Sequence, residues 1–403
     1  MVTTSYPRFP GDSVGTFMEP IAKSVAARGH EVHVVAPWHP LITRGPVEDG
    51  VHFHFYKYAP LRSLNVFGYA AAMRADVSLK RAAFLSAPFA LAAGWRAARK
   101  VARRHRATVM HGHWVVPGGV TAAAAAPHLP LVISLHGSDV YVAERLRLAG
   151  FAARAAFRRA GFVTACSADL ASRAAALGAD SSRISVVPYG VDTERFQPDP
   201  AAATQVRREL DIAEEVPLVA AAGRLVRKKG FEFLIDALIH VPRAVLALAG
   251  AGTLEHELRT RADAAGVASR VRFLGDRPQD DVASLFAASD LIATPSVRDD
   301  AGNVDGLPNA VMEALASGTA LITTIAGGIG SVVEHERTAL IVSERDPKAL
   351  AAAINRGLAD PALRRRIGTT AREVMKTRFA WQRTAAQFEA AYEQALAFKS
   401  MRR

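Results

Sequence analysis

The chain has 403 residues, half of them apolar and 22% charged, with 50 Lys and Arg against 38 Asp and Glu and a formal net charge of +12. That balance excludes a disordered chain and favours two globular domains of about 100–200 residues each. The basic excess favours anionic partners, either phosphorylated substrates or acidic lipid surfaces; without zinc-finger spacing or an RNA-binding signature, nucleic acid is not expected as a partner.

The chain opens at Met1-Val2-Thr3-Thr4-Ser5-Tyr6-Pro7, which lacks the apolar core of a signal peptide. Residues 19–28 read as a helix stopped by Gly29, residues 31–36 and 51–56 as strands, and residues 92–105 as a basic helix. The longest apolar stretch, 84–93, is broken by Pro88 and falls short of the ~20 residues that span a bilayer. A cytoplasmic protein is expected, with peripheral contact on the inner membrane face. Residues 108–111 and 131–135 are short apolar strands, 152–159 a helix and 162–165 a strand. Ser167 caps the helix that follows. Cys166 is the single cysteine, so no intrachain disulfide forms, and a buried apolar role is expected for it.

Residues 184–192 read as a strand closed by turn residues, and the Pro-containing polar stretch 193–203 as the domain boundary. Strands then fall at 218–222, 245–249, 271–275, 291–294 and 320–324. Helices fall at 231–238, 282–288, 308–316, 347–358, 361–376 and 380–398, with Pro308, Pro347 and Pro361 at favoured helix starts. Strands joined by helices imply parallel sheets with right-handed crossovers. The loops leaving the carboxyl ends of such strands build the ligand site.

Four groups on such loops carry the chemistry. Asp305 lies just before the helix starting at Pro308, and Glu313 inside its second turn. Free N–H groups at a helix start attract an anion, and carboxylates beside them accept sugar or ribose hydroxyls; spacing alone equally allows an acidic flank and a solvated Glu. Gly223-Arg224-Leu225-Val226-Arg227-Lys228-Lys229-Gly230 is a basic loop in which Arg224 offers a planar fork and Lys229 a mobile point charge to a departing phosphate. His136-Gly137-Ser138-Asp139 follows a strand, and Pro10-Gly11-Asp12-Ser13-Val14-Gly15-Thr16-Phe17 is a Gly-rich turn entering a helix. His111-Gly112-His113-Trp114 has two alternating His without a Cys or carboxylate to complete a metal site, and no Asp-x-Asp pair occurs.

Asp305-Gly306-Leu307-Pro308 with Glu313 resembles the acidic-x7-acidic signature of the large retaining GT-B glycosyltransferase family, the glycogen-synthase-like and mannosyltransferase-like group known as family 4. The usual first acid is Glu; Asp305 is one methylene shorter. The resemblance runs along nearly the whole chain. It implies an α/β protein of GT-B fold, with two Rossmann-like domains whose parallel sheets face a central cleft. Residues 1–192 would bind the acceptor, 193–376 the nucleotide sugar, and 377–403 would form a helix crossing back to the N-terminal domain. The chain lacks the longer apolar opening of related proteins, so its central first strand is expected to be unusually short, or its natural start to lie upstream.

The resemblance also implies roles. Arg224 and Lys229 would neutralise the leaving diphosphate; Asp305 and the backbone of Gly306, Leu307 and Asn309 would orient the sugar; Glu313 would fix the ribose. His136 would stand over the sugar. Gly15, Thr16 and Gly223 would approach the donor, Arg277 would contact the base, and His113, Trp114 and Asp139 would lie on the acceptor side. No metal and no cofactor are expected, the nucleotide sugar being a substrate. Retention would follow from attack on the face of departure. The acceptor would be a glycan or a lipid-linked envelope precursor, approached through a basic face bearing Arg62, Arg74, Lys80, Arg81, Trp95, Arg96, Arg99, Lys100, Arg103 and Arg104. A non-hydrolysing nucleotide-sugar epimerase and a non-catalytic sugar-binding protein are the rival readings.

Overall fold

The structure is a computed structural model that describes residues 1–401 apart from 13, 60–64, 66–67, 70–72, 76–77 and 80, and only the backbone of 73–75, 78–79 and 81–85. Arg62 and Lys80 of the expected basic face therefore lie outside the described residues, as do Ser13 and the side chains of Arg74 and Arg81. Two compact units emerge, one formed by Met1–Tyr189 with Trp381–Arg403 and the other by Gly190–Ala380. The expected boundaries at 192 and 376 lie a few residues from these.

In the second unit six parallel strands stand in the order Val271–Gly275, Val245–Ala249, Leu218–Ala222, Leu291–Thr294, Leu321–Thr323, Leu340–Ile341. Every residue of Leu218–Ala222, Val245–Ala249 and Leu291–Thr294 is buried, as a sheet covered on both faces requires. The first strand in sequence sits mid-sheet. Chain order runs one way from it for two strands and the other way for three. Loops leaving the carboxyl ends of Leu218–Ala222 and Leu291–Thr294 thus diverge, and such a reversal is where open α/β sheets bind ligands.

The first unit repeats this plan with a reduced central strand. Met110–His113, Leu131–Leu135, Phe162–Ala165 and Ile184–Val186 run parallel on one side, and Val32–Pro37 and Val51–Tyr56 on the other. Val2 alone bridges them, pairing with both Gly112 and Val35. Its N–H donates to the His111 carbonyl at 2.8 Å, and its carbonyl accepts from His113 N–H at 2.9 Å.

The helix Trp381–Ser400 belongs to this unit. It buries Thr384, Ala385, Phe388, Ala391 and Ala395, and Glu389 pairs with Arg28 and His30. A Cβ at Gly161 would stand 2.8 Å from the Ala395 backbone, so only glycine lets the helix seat there.

Some elements differ from expectation. The strand expected at 108–111 is Met110–His113, because pairing with Leu131–Leu135 starts at Met110. The strand expected over 184–192 ends at Val186. The basic helix is longer, Arg81–Arg104, and carries Pro88 inside it. The helix Pro200–Glu209 starts inside the stretch 193–203 expected as the domain boundary: Asp199 accepts from Ala202 N–H at 3.0 Å, so Pro200 starts a helix instead of marking a loop. Ser138–Arg145 and Glu255–Ala264 are further helices without a sequence counterpart above.

Gly250 has φ +143° and abuts Gly223; a Cβ there would overlap the Gly223 carbonyl oxygen. Gly250→Ala is expected to destabilise the second unit by roughly 1–3 kcal/mol, read as a lowered Tm in a thermal melt.

Candidate functional site

At the reversal of the second unit's sheet, local backbone chemistry presses two loops together. Gly230 adopts φ +66°, and a Cβ there would overlap the Pro295 carbonyl oxygen. Val297 N–H donates to the Lys228 carbonyl at 2.9 Å. Gly327, at φ +61°, packs against the Asp305 carbonyl in the same way. These close approaches bring Lys228 Nζ to 3.0 Å from Asp305 Oδ1 and Lys229 Nζ to 2.6 Å from Asp305 Oδ2. All three side chains are at least 86% buried, with exposures of 9%, 13% and 14%. Burial alone would raise the Asp305 pKa; the two ammonium charges outweigh it and hold the carboxyl well below its usual range.

Glu313 sits on the helix Asn309–Ser317, one turn in. Its Oε1 accepts from Gln279 Nε2 at 3.0 Å, and Gln279 Oε1 accepts from Arg195 at 2.9 Å. Burial pushes Glu313 up to about 7, with Gln279, Lys229 and Arg195 pulling the other way. Gly306 and Leu307 are buried beside Asp305, and Asn309 opens the helix. Arg224 is exposed on the same loop as Lys229. Arg277 is exposed at the end of Val271–Gly275, where its Nε donates to the Leu274 carbonyl at 3.0 Å. The sequence reading did not assign roles to Lys228, Gln279 or Arg195. Lys228 neighbours Lys229 and could have been found; Gln279 and Arg195 carry no local signal.

On the first unit, His136 is the centre of an aromatic group. The Phe17 ring stacks on Tyr189 at 4.6 Å and lies 4.8 Å from His136, and Trp114 lies 4.8 Å from His136. Both ring nitrogens of His136 are engaged: Nδ1 is 2.7 Å from the Tyr189 hydroxyl and Nε2 is 3.1 Å from His113 Nδ1. Burial lowers its pKa to about 3, so the ring is neutral at pH 7. A hydrogen bond from this ring to a substrate would have to replace Tyr189 or His113. His113 is fully buried, and its Nε2 has no hydrogen-bond partner among the described residues.

Asp139 is also buried, and its carboxylate accepts from the backbone N–H groups of Val115 at 2.7 Å, Gly137 at 3.0 Å and His136 at 3.4 Å. It shapes the loop that carries His136. Gly15, at φ +68°, turns the chain into the helix Met18–Ala26, with Thr16 between it and Phe17. His111 Nε2 lies 2.6 Å from Ser134 Oγ and its Nδ1 2.9 Å from Tyr392 Oη.

Residues 14–195 match the family described as Glycosyltransferase Family 4, and residues 203–374 the one described as Glycosyl transferases group 1. Over 262 residues the chain is 32% identical to the GDP-mannose-dependent alpha-(1-6)-phosphatidylinositol monomannoside mannosyltransferase of Mycolicibacterium smegmatis, covering 64% of this chain and 68% of that protein. The chain belongs to glycosyltransferase family 4. The mannosyltransferase of the same description from Mycobacterium tuberculosis is 34% identical over 58% of this chain and 63% of its own length. A D-inositol 3-phosphate glycosyltransferase of Corynebacterium glutamicum is 36% identical over 54% of this chain. The chain spans 63% and 53% of the lengths of these last two relatives. Among solved structures, a sucrose-phosphate synthase of Thermosynechococcus elongatus superposes with a TM-score of 0.79 at 20% identity, covering 98% of this chain and 99% of that one. Anabaena HepE in complex with UDP superposes with a TM-score of 0.77 at 21% identity, covering 97% and 99%. The fold of this family member is GT-B, with N- and C-terminal Rossmann-like domains.

The raised Glu313 pKa has a consequence for stability. The native carboxyl, at about 7, holds a proton that the unfolded carboxyl, at 4.5, releases. Stability is therefore full below pH 4.5 and drains as pH rises through 7. Glu313→Gln is expected to match the wild type in urea melts at pH 4 and to exceed it at pH 8, by about 3 kcal/mol at most.

Proposed function

We propose that this chain is a retaining, metal-independent hexosyltransferase. It would move a sugar from a nucleotide diphosphate donor to a glycan or lipid-linked acceptor in cell-envelope polysaccharide or glycolipid synthesis. The observation that carries this reading is the Lys228–Asp305–Lys229 cluster beside Glu313 at the reversal of the second unit's sheet. A diphosphate arriving there meets ammonium groups already stripped of water and held in place, which stabilises charge on the leaving phosphate. Lys229 then shares its charge between Asp305 and the phosphate, with Arg224 beside it on the loop. Those cations take the part that a divalent ion plays elsewhere.

Asp305 is gripped by two cations, so it is a weak nucleophile; its free lone pairs accept sugar hydroxyls instead. That favours attack on the face of departure, the leaving phosphate oxygen taking the acceptor's proton. Ribose hydroxyls donate best to an ionised Glu313, so donor binding releases a proton near pH 7. The backbone of Gly306, Leu307 and Asn309 orients the sugar, Gly15, Thr16 and Gly223 approach the donor, and Arg277 contacts the base.

The acceptor belongs to the first unit, whose ring cluster of Phe17, Trp114, His136 and Tyr189 offers apolar faces to a sugar. His113 holds His136 in this reading. No helix among the described residues is long and apolar enough to cross a membrane. The helix Arg81–Arg104 exposes Phe89, Leu91 and Trp95 beside Arg96, Lys100, Arg103 and Arg104, chemistry suited to peripheral contact with an acidic inner leaflet. The relatives named for GDP-mannose make that donor our first choice.

A panel of GDP- and UDP-sugars, scored by calorimetric binding and by transfer of label to polyprenyl-phosphate and inositol-lipid acceptors, tests the reading. Transfer unaffected by EDTA is expected, with Lys229→Ala reducing kcat/KM by roughly 100-fold or more. Interconversion of the donor sugar without an acceptor would favour the epimerase. Sugar binding without diphosphate binding, indifferent to Arg224→Ala and Lys229→Ala, would leave only a binding protein.

A further inference from the structure

The first unit holds a second gathering of histidines that the reaction does not use. His33 lies on the strand Val32–Pro37 and His54 on its parallel neighbour Val51–Tyr56; the register pairs His33 with His52 and Val35 with His54, so all four point to one face of the sheet. The helix Arg81–Arg104 crosses that face, and His105 follows its last residue. Three elements thus deliver His33, His54 and His105 to one spot, near the start of the strands and away from the loops at their carboxyl ends.

His33 Nδ1 lies 3.0 Å from His54 Nε2, and the His33 and His105 rings are 4.1 Å apart. One ring nitrogen from each of the three can be chosen so that all lie within 4.8 Å of one another. Glu31 Oε1 accepts from His33 Nε2 at 2.9 Å, which leaves Nδ1, the nitrogen facing His54, as the ligating atom of His33.

We propose that His33, His54 and His105 form a binding site for a divalent transition-metal ion of the zinc class, with Glu31 behind His33 as an outer partner and the fourth position left to solvent. Tetrahedral ligands at zinc–nitrogen distances of about 2.0–2.1 Å sit roughly 3.4 Å apart, so the His33–His54 pair at 3.0 Å is near ligand spacing and a pair 4.8 Å apart closes by about 1.4 Å. Three imidazoles are a donor set such ions prefer over magnesium or calcium, which take oxygen. Burial lowers the pKa of His54 to about 4 and that of His33 as well, leaving both rings neutral near pH 7, the state that ligates. A groove lined by His52, His54, Lys100, Arg104 and His105 gives the ion a way in. Lys100 and Arg104 are exposed and free to swing toward solvent, and Glu31 offsets part of their charge. The ion would pin the end of the helix Arg81–Arg104 to two strands. Its role is structural, because none of its ligands belongs to the candidate donor or acceptor residues.

The test uses the full-length protein without a histidine tag. Titration with Zn2+ and Ni2+ is expected to show one tight equivalent, a rise in Tm, and X-ray absorption with three imidazoles in the first shell; Mg2+ and Ca2+ are expected to do none of this. His54→Ala with His105→Ala should weaken Zn2+ binding by at least about tenfold and abolish the Tm rise. A far-UV circular-dichroism spectrum and a metal-free Tm unchanged from the wild type certify that the variant is folded; if they change, His105→Gln alone is measured in its place. The proposal is overturned by the absence of a tight equivalent in the wild type, by a stoichiometry unchanged in the variant, or by a first shell lacking imidazole.

Discussion

Two ammonium groups closing on one carboxylate organise the second unit. Lys228 and Lys229 arrive on the loop after Leu218–Ala222, and Asp305 on the loop after Leu291–Thr294. Removing a carboxylate from water costs several kcal/mol unless partners replace the solvent. Here the replacement spans the reversal of strand order, so the ion pairs and the sheet topology support each other. The cluster keeps a net positive charge after pairing, since two cations face one anion. An anionic ligand therefore meets charge already desolvated, and little reorganisation remains for the moment of binding.

The first unit works by the opposite electrostatics. His111, His113 and His136 are all driven toward the neutral form by burial; hydroxyls of Ser134 and Tyr392 meet both His111 nitrogens, and His136 is held by the Tyr189 hydroxyl and His113 Nδ1. The result is an uncharged wall in which the His136 ring packs against Phe17 and Trp114. One unit of the chain thus presents buried charge and the other packed neutral rings.

Much of this was legible along the chain. The strand at 218–222, the glycines at 223 and 230, and the paired acids at 305 and 313 could each be read from neighbours a few residues away. The helices at Pro347 and Pro361 announced themselves through proline at the first turn and aspartate before it. Pro200 and Asp199 carry the same signal inside the polar stretch 193–203 expected as the domain boundary, and the helix they start buries no residue fully. Asp139 is expected as an acceptor-side acid; that its carboxylate is buried and holds the Val115 N–H, 24 residues away, lies beyond the reach of local pattern. Phe17 and Tyr189 gave no sign that they would meet His136.

By itself the sequence determined the alternation of strands and helices, the family signature and the residue types available for chemistry. Those depend on periodicity, caps and turn residues, which act over a few positions. Only the tertiary structure decided that Lys228 shares Asp305 with Lys229, that His136 has both ring nitrogens occupied, and that His33, His54 and His105 converge. Each of those rests on residues far apart in the chain, whose distance is set by sheet order and helix packing.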